Sequence, residues 1–272
     1  MDPRQLPIGI FDSGVGGLTV LRALRAALPG EDFLYLGDTA RVPYGTRSPE
    51  TVRRYASQAA GLLLARGIKA LVVACNTASA AALDTLREAH PDVPVEGVIE
   101  PGARAAVAAS RKARVAVLAT EGTVAGGAYP RAIRALDTEI EVEQRACAML
   151  VALAEEGWTD GPVVEETLRR YFHGLFPGPD VLLLGCTHFP VLAAAIRAVA
   201  PEDVALVDSA ATTAAAVRDD LAARGLLRNG GAGRVHFLVT DNPARFERTA
   251  TIFLGESPAH GEIELVDIQA AR

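Results

Sequence analysis

The chain has 272 residues, half of them hydrophobic and 22% charged, with a formal net charge of -6. That length suits one large or two small α/β domains, and the acidic balance offers nucleic acid no broad basic face. No apolar run approaches the roughly 18 residues of a membrane span, and the first residues lack a basic-then-apolar signal pattern, so no membrane association and residence in the cytoplasm are expected.

Short β-rich runs alternate with alanine- and leucine-rich helical stretches, the pattern of mainly parallel sheets. In chain order, strands are expected near Ile8 to Phe11, Phe33 to Leu36, Ala70 to Ala74, Val95 to Ile99, Val115 to Ala119, Ile140 to Gln144, Val181 to Leu184, Ala205 to Val207 and Val235 to Val239. The unbroken apolar runs at Ala70 to Ala74 and Val181 to Leu184 read as central strands covered on both faces. Their ends echo each other: Val73-Ala74-Cys75-Asn76-Thr77 and Leu184-Gly185-Cys186-Thr187-His188. A second echo pairs Phe11-Asp12-Ser13-Gly14 with Val207-Asp208-Ser209-Ala210. These echoes imply an α/β fold of two facing, pseudo-symmetric domains with mainly parallel sheets and the active site between them. Residues 1–97 with 208–272 would form the first and 98–207 the second, with chain crossings near Val95 to Pro101 and Pro201 to Asp208.

In open parallel sheets, ligands bind beyond the carboxyl ends of the strands, where helix N-termini offer free N–H groups. Cys75 and Cys186 both fall there. The cysteines at 75, 147 and 186 do not form a disulfide framework, and a free cysteine is more often a buried hydrophobe than a catalyst. Cys147, without a polar companion in Arg145-Ala146-Cys147-Ala148-Met149, keeps that structural reading. For the other two, a position one step past a buried strand and at a helix start predicts a lowered thiol pKa. Asn76, Thr77 and Thr187 are suited both to capping helices and to receiving a substrate carboxylate. His188, two residues after Cys186, has the proton affinity to trade protons with a thiol. Asp12 is placed to cap the next helix, to assist Cys75 or to meet an ammonium group.

The glycines of Asp12-Ser13-Gly14-Val15-Gly16-Gly17-Leu18 suggest close backbone approach, but no Gly-Lys-Ser/Thr follows, which argues against a phosphate loop. Pro43-Tyr44-Gly45 reads as a turn. The two lysines, Lys69 and Lys112, each precede a strand, the wrong end of a sheet for a pyridoxal Schiff base. Paired metal spacings such as Cys-x-x-Cys are missing, so neither cofactor nor metal is expected.

The segments Ile8 to Leu18, Pro43-Tyr44-Gly45, Ala74-Cys75-Asn76-Thr77-Ala78 and Leu184-Gly185-Cys186-Thr187-His188-Phe189-Pro190 together resemble the glutamate racemases of the aspartate/glutamate racemase superfamily, over essentially the whole chain. The resemblance implies a homodimer that interconverts L- and D-glutamate without cofactor, for peptidoglycan synthesis in a bacterial cytoplasm. It makes Cys75 and Cys186 the acid/base pair, Cys75 acting on D-glutamate and Cys186 on L-glutamate, with Asp12 and His188 in support. Those residues together with Ser13, Asn76, Thr77 and Thr187 would hold the amino acid, Pro43, Tyr44 and Gly45 would line the site, and Thr120 and Thr123 would lie near the substrate, with Tyr129 further on. Glu155 would tune the second cysteine. Ala148 and Ala152 stand where the family commonly has proline, which leaves Glu156 open in that role. Members that need a nucleotide-sugar activator carry a longer leader than the few residues ahead of Ile8, so none is expected. The alternatives are an aspartate racemase or another two-thiol isomerase or decarboxylase, and a non-catalytic binder of small acids or proteins, against which the two retained cysteines argue.

Overall fold

A computed structural model describes residues 2–258 and 262–268; residue 1, 259–261 and 269–272, which the assigned first domain includes, lie outside the described residues. The apolar runs become β1 (Ile8–Asp12), β2 (Phe33–Gly37), β3 (Ala70–Val73), β4 (Val95–Gly97), β5 (Arg114–Ala119), β6 (Glu141–Ala146), β7 (Val181–Gly185), β8 (Ala205–Asp208), β9 (Val235–Val239) and β10 (Ile263–Leu265). The helices between them are α1 (Leu18–Ala27), α2 (Pro49–Ala65), α3 (Asn76–Ala89), α4 (Ile99–Ala109), α5 (Glu121–Gly126), α6 (Ala128–Leu136), α7 (Ala148–Glu155), α8 (Pro162–Phe172), α9 (Ala193–Val199), α10 (Ser209–Ala223) and α11 (Pro243–Leu254).

One sheet has the order β10-β9-β2-β1-β3-β4 and the other β6-β5-β7-β8, with every strand pair parallel. The stretch β2-β1-β3-β4 has the same order as β6-β5-β7-β8, so β3 and β7 are equivalent strands, each beside the point where the winding reverses. Every residue of β1, β3 and β7 is buried. A fully buried Val, Leu or Ile contributes roughly 1.5–3 kcal/mol, and these strands are therefore firm mounts for whatever follows them.

Several sequence expectations are corrected. The Asp-Ser echo is not a structural repeat: Asp12 ends β1, the first strand of its unit, whereas Asp208 ends β8, the fourth of the other, where it caps α10 by accepting from the Ala210 N–H at 2.7 Å. The strand beginning at Val95 stops at Gly97, and Ile99 already opens α4, because a glycine and a following helical turn end the extended run. The chain leaves the second sheet only after Asp208, returning through α10, which packs on α1 and α4. β10 was not expected; three residues at a sheet edge are too few to display a period.

At the amino ends of the first sheet, buried Lys69 pairs with buried Glu31 and donates to the Arg4 carbonyl at 2.9 Å, while the other Glu31 oxygen accepts the Arg228 N–H at 2.8 Å. This lysine thus closes the end of the sheet opposite the cysteines. Lys112 pairs with Asp203 on the surface.

Candidate active site

The carboxyl ends of the two sheets open into one cavity of about 310 Å³. Both cysteines line it, Cys75 following β3 and Cys186 following β7, together with Ser13, Pro43, Tyr44, Gly45, Asn76, Thr77, Thr120, Glu155, Thr187 and His188. Most of the residues singled out in the sequence are therefore brought together, from segments as far apart as the loops after β1 and β7. Asp12 and Thr123 stand behind the wall. Asp12 is fully buried, its Oδ2 accepting the Gly14 N–H at 2.9 Å and the Tyr35 hydroxyl at 3.4 Å, while its Oδ1 has no hydrogen-bond partner. Thr123 joins Thr77 and Thr120 in a triangle of hydroxyls with edges of 2.9, 3.0 and 3.3 Å.

The two thiols have different surroundings. Cys75 Sγ donates to Ser13 Oγ at 3.5 Å. Burial and the negative charge of Asp12 push its pKa up to about 12, outweighing the Ser13 hydroxyl and the Ala78 N–H. The lowered pKa expected from the helix start is therefore corrected for Cys75, since desolvation disfavours a buried thiolate more than the first turn of α3 favours it. Behind Cys186 the expected helix start is a single 3-10 turn, Phe189–Leu192, ahead of the short α9. Its charge partner is His188 instead, with Nδ1 3.7 Å from Sγ and Nε2 3.1 Å from Glu155 Oε1. Burial pulls the His188 pKa down, but the hydrogen bonds to Cys186 and Glu155 prevail and raise it to about 10. The His188 hydrogen bond in turn lowers the pKa of Glu155 against the pull of burial. Of the two carboxylates left open by the sequence, Glu155 lies against His188 in the cavity wall, whereas Glu156 is exposed and outside the cavity.

The glycine loop acquires a specific reason. A Cβ on Gly16 would lie 2.6 Å from Thr187 Oγ1 and closer still to His188 Nδ1. Gly16 thus lets the loop after β1 meet the loop after β7, and Thr19 fastens the two where its hydroxyl donates to the Thr187 carbonyl at 2.9 Å. Gly45 does the same across the other seam, where a Cβ would lie 2.9 Å from Thr120 Cβ. The Tyr44 hydroxyl donates to buried Asp38, which also holds Arg41 at 2.6 Å and accepts from Thr240 at 3.0 Å. The Pro43-Tyr44-Gly45 turn is thereby anchored from behind.

Asn76 gives its amide N–H to the buried Tyr129 hydroxyl at 2.8 Å, leaving Oδ1 without a partner. Cys147 is buried and donates to the Arg145 carbonyl at 3.4 Å, and burial raises its pKa to about 12, as suits its structural reading. Sequence reasoning missed Ala148, Val151 and Ala152, which line the cavity with Glu155. Their spacing at i, i+3, i+4 and i+7 is one face of α7, and that period was readable. Arg245 and Phe253 of α11 were also missed; nothing local marks them, and only packing brings them to Glu155 and His188. Among the described residues, no lysine or arginine lines the cavity, and no three His, Cys, Asp or Glu side chains form a metal-binding group.

Paired parallel α/β units with a thiol at each equivalent strand end, meeting over one small cavity, define an enzyme acting on a small molecule. The chain belongs to the Asp/Glu/Hydantoin racemase family, whose sequence pattern matches residues 8–217. It is 52% identical to the glutamate racemase of Geobacter metallireducens, over 97% of this chain and 98% of that one. Among solved structures it is similar to glutamate racemase from Thermus thermophilus in complex with beta-chloro-D-alanine, at 48% identity and a TM-score of 0.89, covering 98% of both chains. It is likewise similar to that from Francisella tularensis in complex with D-glutamate, at 35% identity and a TM-score of 0.92, covering 98% and 99%. No helix among the described residues is long and apolar enough to cross a membrane.

Proposed function

We propose that this protein interconverts L- and D-glutamate without a cofactor, Cys75 and Cys186 serving as the two acid/base groups on opposite faces of Cα. The observation that carries this reading is the pair of thiols on equivalent strand ends of two facing sheets, open to one cavity. Inversion requires removing the Cα proton from one face and delivering another to the opposite face; flanking groups do both without turning the substrate. Cys75, with its raised pKa, rests as a thiol able to donate. Beside Cys186 stands an imidazole protonated at neutral pH, its Nδ1 3.7 Å from the sulfur and placed to exchange a proton with it. One turnover of L-glutamate leaves Cys186 as thiol and Cys75 as thiolate, the form that D-glutamate needs.

Negative charge flows toward the α-carboxylate as the Cα proton leaves. With no lysine or arginine among the described residues of the wall, it is met by neutral donors: the hydroxyls of Ser13, Thr77 and Thr187 and the N–H groups at the start of α3. The unpartnered Asn76 Oδ1 is an acceptor suited to the ammonium. We read residues 1–97 with 208–272 and residues 98–207 as the two domains that close on the substrate to exclude water; the strands of each sheet fall within one of these sets except for Asp208, the last residue of β8. Kinship supports the rest of the reading: glutamate as substrate, D-glutamate for peptidoglycan, a cytoplasmic setting and a homodimer.

The test is racemisation in heavy water, followed by circular dichroism and mass spectrometry, for the parent and for Cys75→Ala and Cys186→Ala. Early product should carry deuterium at Cα while remaining substrate stays unlabelled, and each alanine variant should lose racemisation. A folded single-alanine variant that racemises at the parent rate overturns the two-thiol reading; turnover of L-aspartate in preference to glutamate overturns the substrate.

A further inference from the structure

Glu155 ends α7, in the part of the chain that carries the second sheet, and its carboxylate is shared. Oε1 faces His188 Nε2 at 3.1 Å, and Oε2 faces Arg245 Nη2 at 3.8 Å. Arg245 belongs to α11, which follows β9 of the first sheet, so this pair spans the crevice. The backbone N–H of Arg245 donates to the Asn242 side chain at 3.1 Å, which fixes the first turn of α11. Further along the same helix, Phe253 meets the His188 ring edge-on, with centroids 5.1 Å apart and planes at 80°. Ile252 packs where a Cβ on Gly157 would stand, with its Cδ1 3.3 Å away. A side cavity of about 100 Å³, lined by Gly14, Glu155, Asp241 and Arg245 among others, borders Glu155 on the α11 side. The charged groups around this carboxylate are thus His188 from the second sheet and Arg245 and Asp241 from the first.

We infer that Arg245 and Phe253 of α11 are positioning residues for the Cys186 half of the reaction, Phe253 holding the His188 ring and Arg245 holding the Glu155 carboxylate aimed at that ring. On the Cys75 side, α11 touches through Phe246, which packs against the Tyr35 ring at 6.1 Å, and Tyr35 donates to Asp12; Arg245 and Phe253 face the other half, and the described hydrogen-bond partner of Cys75 Sγ is Ser13. The asymmetry has a particular kinetic form. The equilibrium constant of a racemisation is unity by mirror symmetry, so kcat/KM must be equal from the two enantiomers in any variant. A defect confined to one half therefore shows in which proton transfer limits the rate, and in kcat and KM changing together.

The inference rests on Cys186 being the base toward L-glutamate, and the experiment separates the two. The intact chain is prepared as parent, Arg245→Gln, Arg245→Lys and Phe253→Leu, and kcat/KM is measured with ordinary and Cα-deuterated L- and D-glutamate. Arg245→Gln should lower kcat/KM about two- to fivefold in both directions, the rate equivalent of an exposed ion pair. The primary isotope effect should rise from L-glutamate and fall from D-glutamate. Phe253→Leu should move both effects the same way, and Arg245→Lys should restore the parent pair of values. Unchanged kcat/KM in Arg245→Gln, a loss with both isotope effects unmoved, or no rescue by lysine each overturns the inference. If instead Cys186→Ala racemises like the parent, the two-thiol reading itself has failed, whatever the Arg245 variants do.

Discussion

Replacing Gly16 by alanine tests the claim that the glycine loop exists to let the loops after β1 and β7 touch. The added methyl would stand 2.6 Å from Thr187 Oγ1, whereas ordinary contact begins at 3.4 Å, so the opposing loop must retreat by 3.4 - 2.6 = 0.8 Å. Neither neighbour can yield freely. The Thr187 carbonyl is held by Thr19, and His188 is held between Cys186 and Glu155 and against Phe253. Overpacking of this kind costs about 1–3 kcal/mol, or roughly 2–4 °C of Tm per kcal/mol for a chain near this size. Moving a catalytic group by nearly an ångström costs on the order of 100-fold in rate. Circular dichroism of racemisation from each enantiomer gives kcat/KM, and a thermal melt gives the stability loss. Gly61→Ala is the control: Gly61 is exposed in α2 with nothing within 4 Å of an added Cβ, so alanine should stabilise by roughly 0.5–1 kcal/mol and leave activity alone. Gly16→Ala at the parent's kcat/KM would refute the reasoning.

Lys69→Met should lower stability by about 3–5 kcal/mol, because it strands the Glu31 charge in the interior, whereas Lys69→Met with Glu31→Leu should recover much of that loss in urea titrations. Equal losses in both variants would show that the pairing is not what matters. The folded-state pKa of His188, about 10, lies above its ordinary 6.5, so the stability it contributes is complete below 6.5 and is lost as pH rises through 10. The difference in urea midpoint between the parent and His188→Asn should accordingly shrink from pH 6.5 to pH 10, and a constant difference over that range would contradict the assigned protonation.

Local pattern made the carboxyl ends of β1, β3 and β7 visible, since apolar runs that stop at Asp12-Ser13, Cys75-Asn76 and Cys186-Thr187 are features of adjacent residues. The same kind of pattern misled at Asp208-Ser209, where like letters end a strand with a different place in its sheet. It also misjudged Cys75, whose proton affinity depends on burial and on Asp12 rather than on its neighbours in the chain. Glu155 and Glu156 are adjacent and chemically alike, and only the phase of α7 turns one toward His188 and the other to solvent.

By itself the sequence determined the α/β class, the parallel strands and the residue types at their ends, because periodicity, turn chemistry and side-chain reactivity act over a few residues. Only the tertiary structure decided which of those ends meet, why Gly16 must be bare, and that Arg245 and Phe253 reach Glu155 and His188 from the last helix. Those contacts join residues 65 to 172 positions apart (253 - 188 = 65; 188 - 16 = 172). They arise when two buried sheets pack their carboxyl ends together, a balance of packing and desolvation that no single segment of the chain contains.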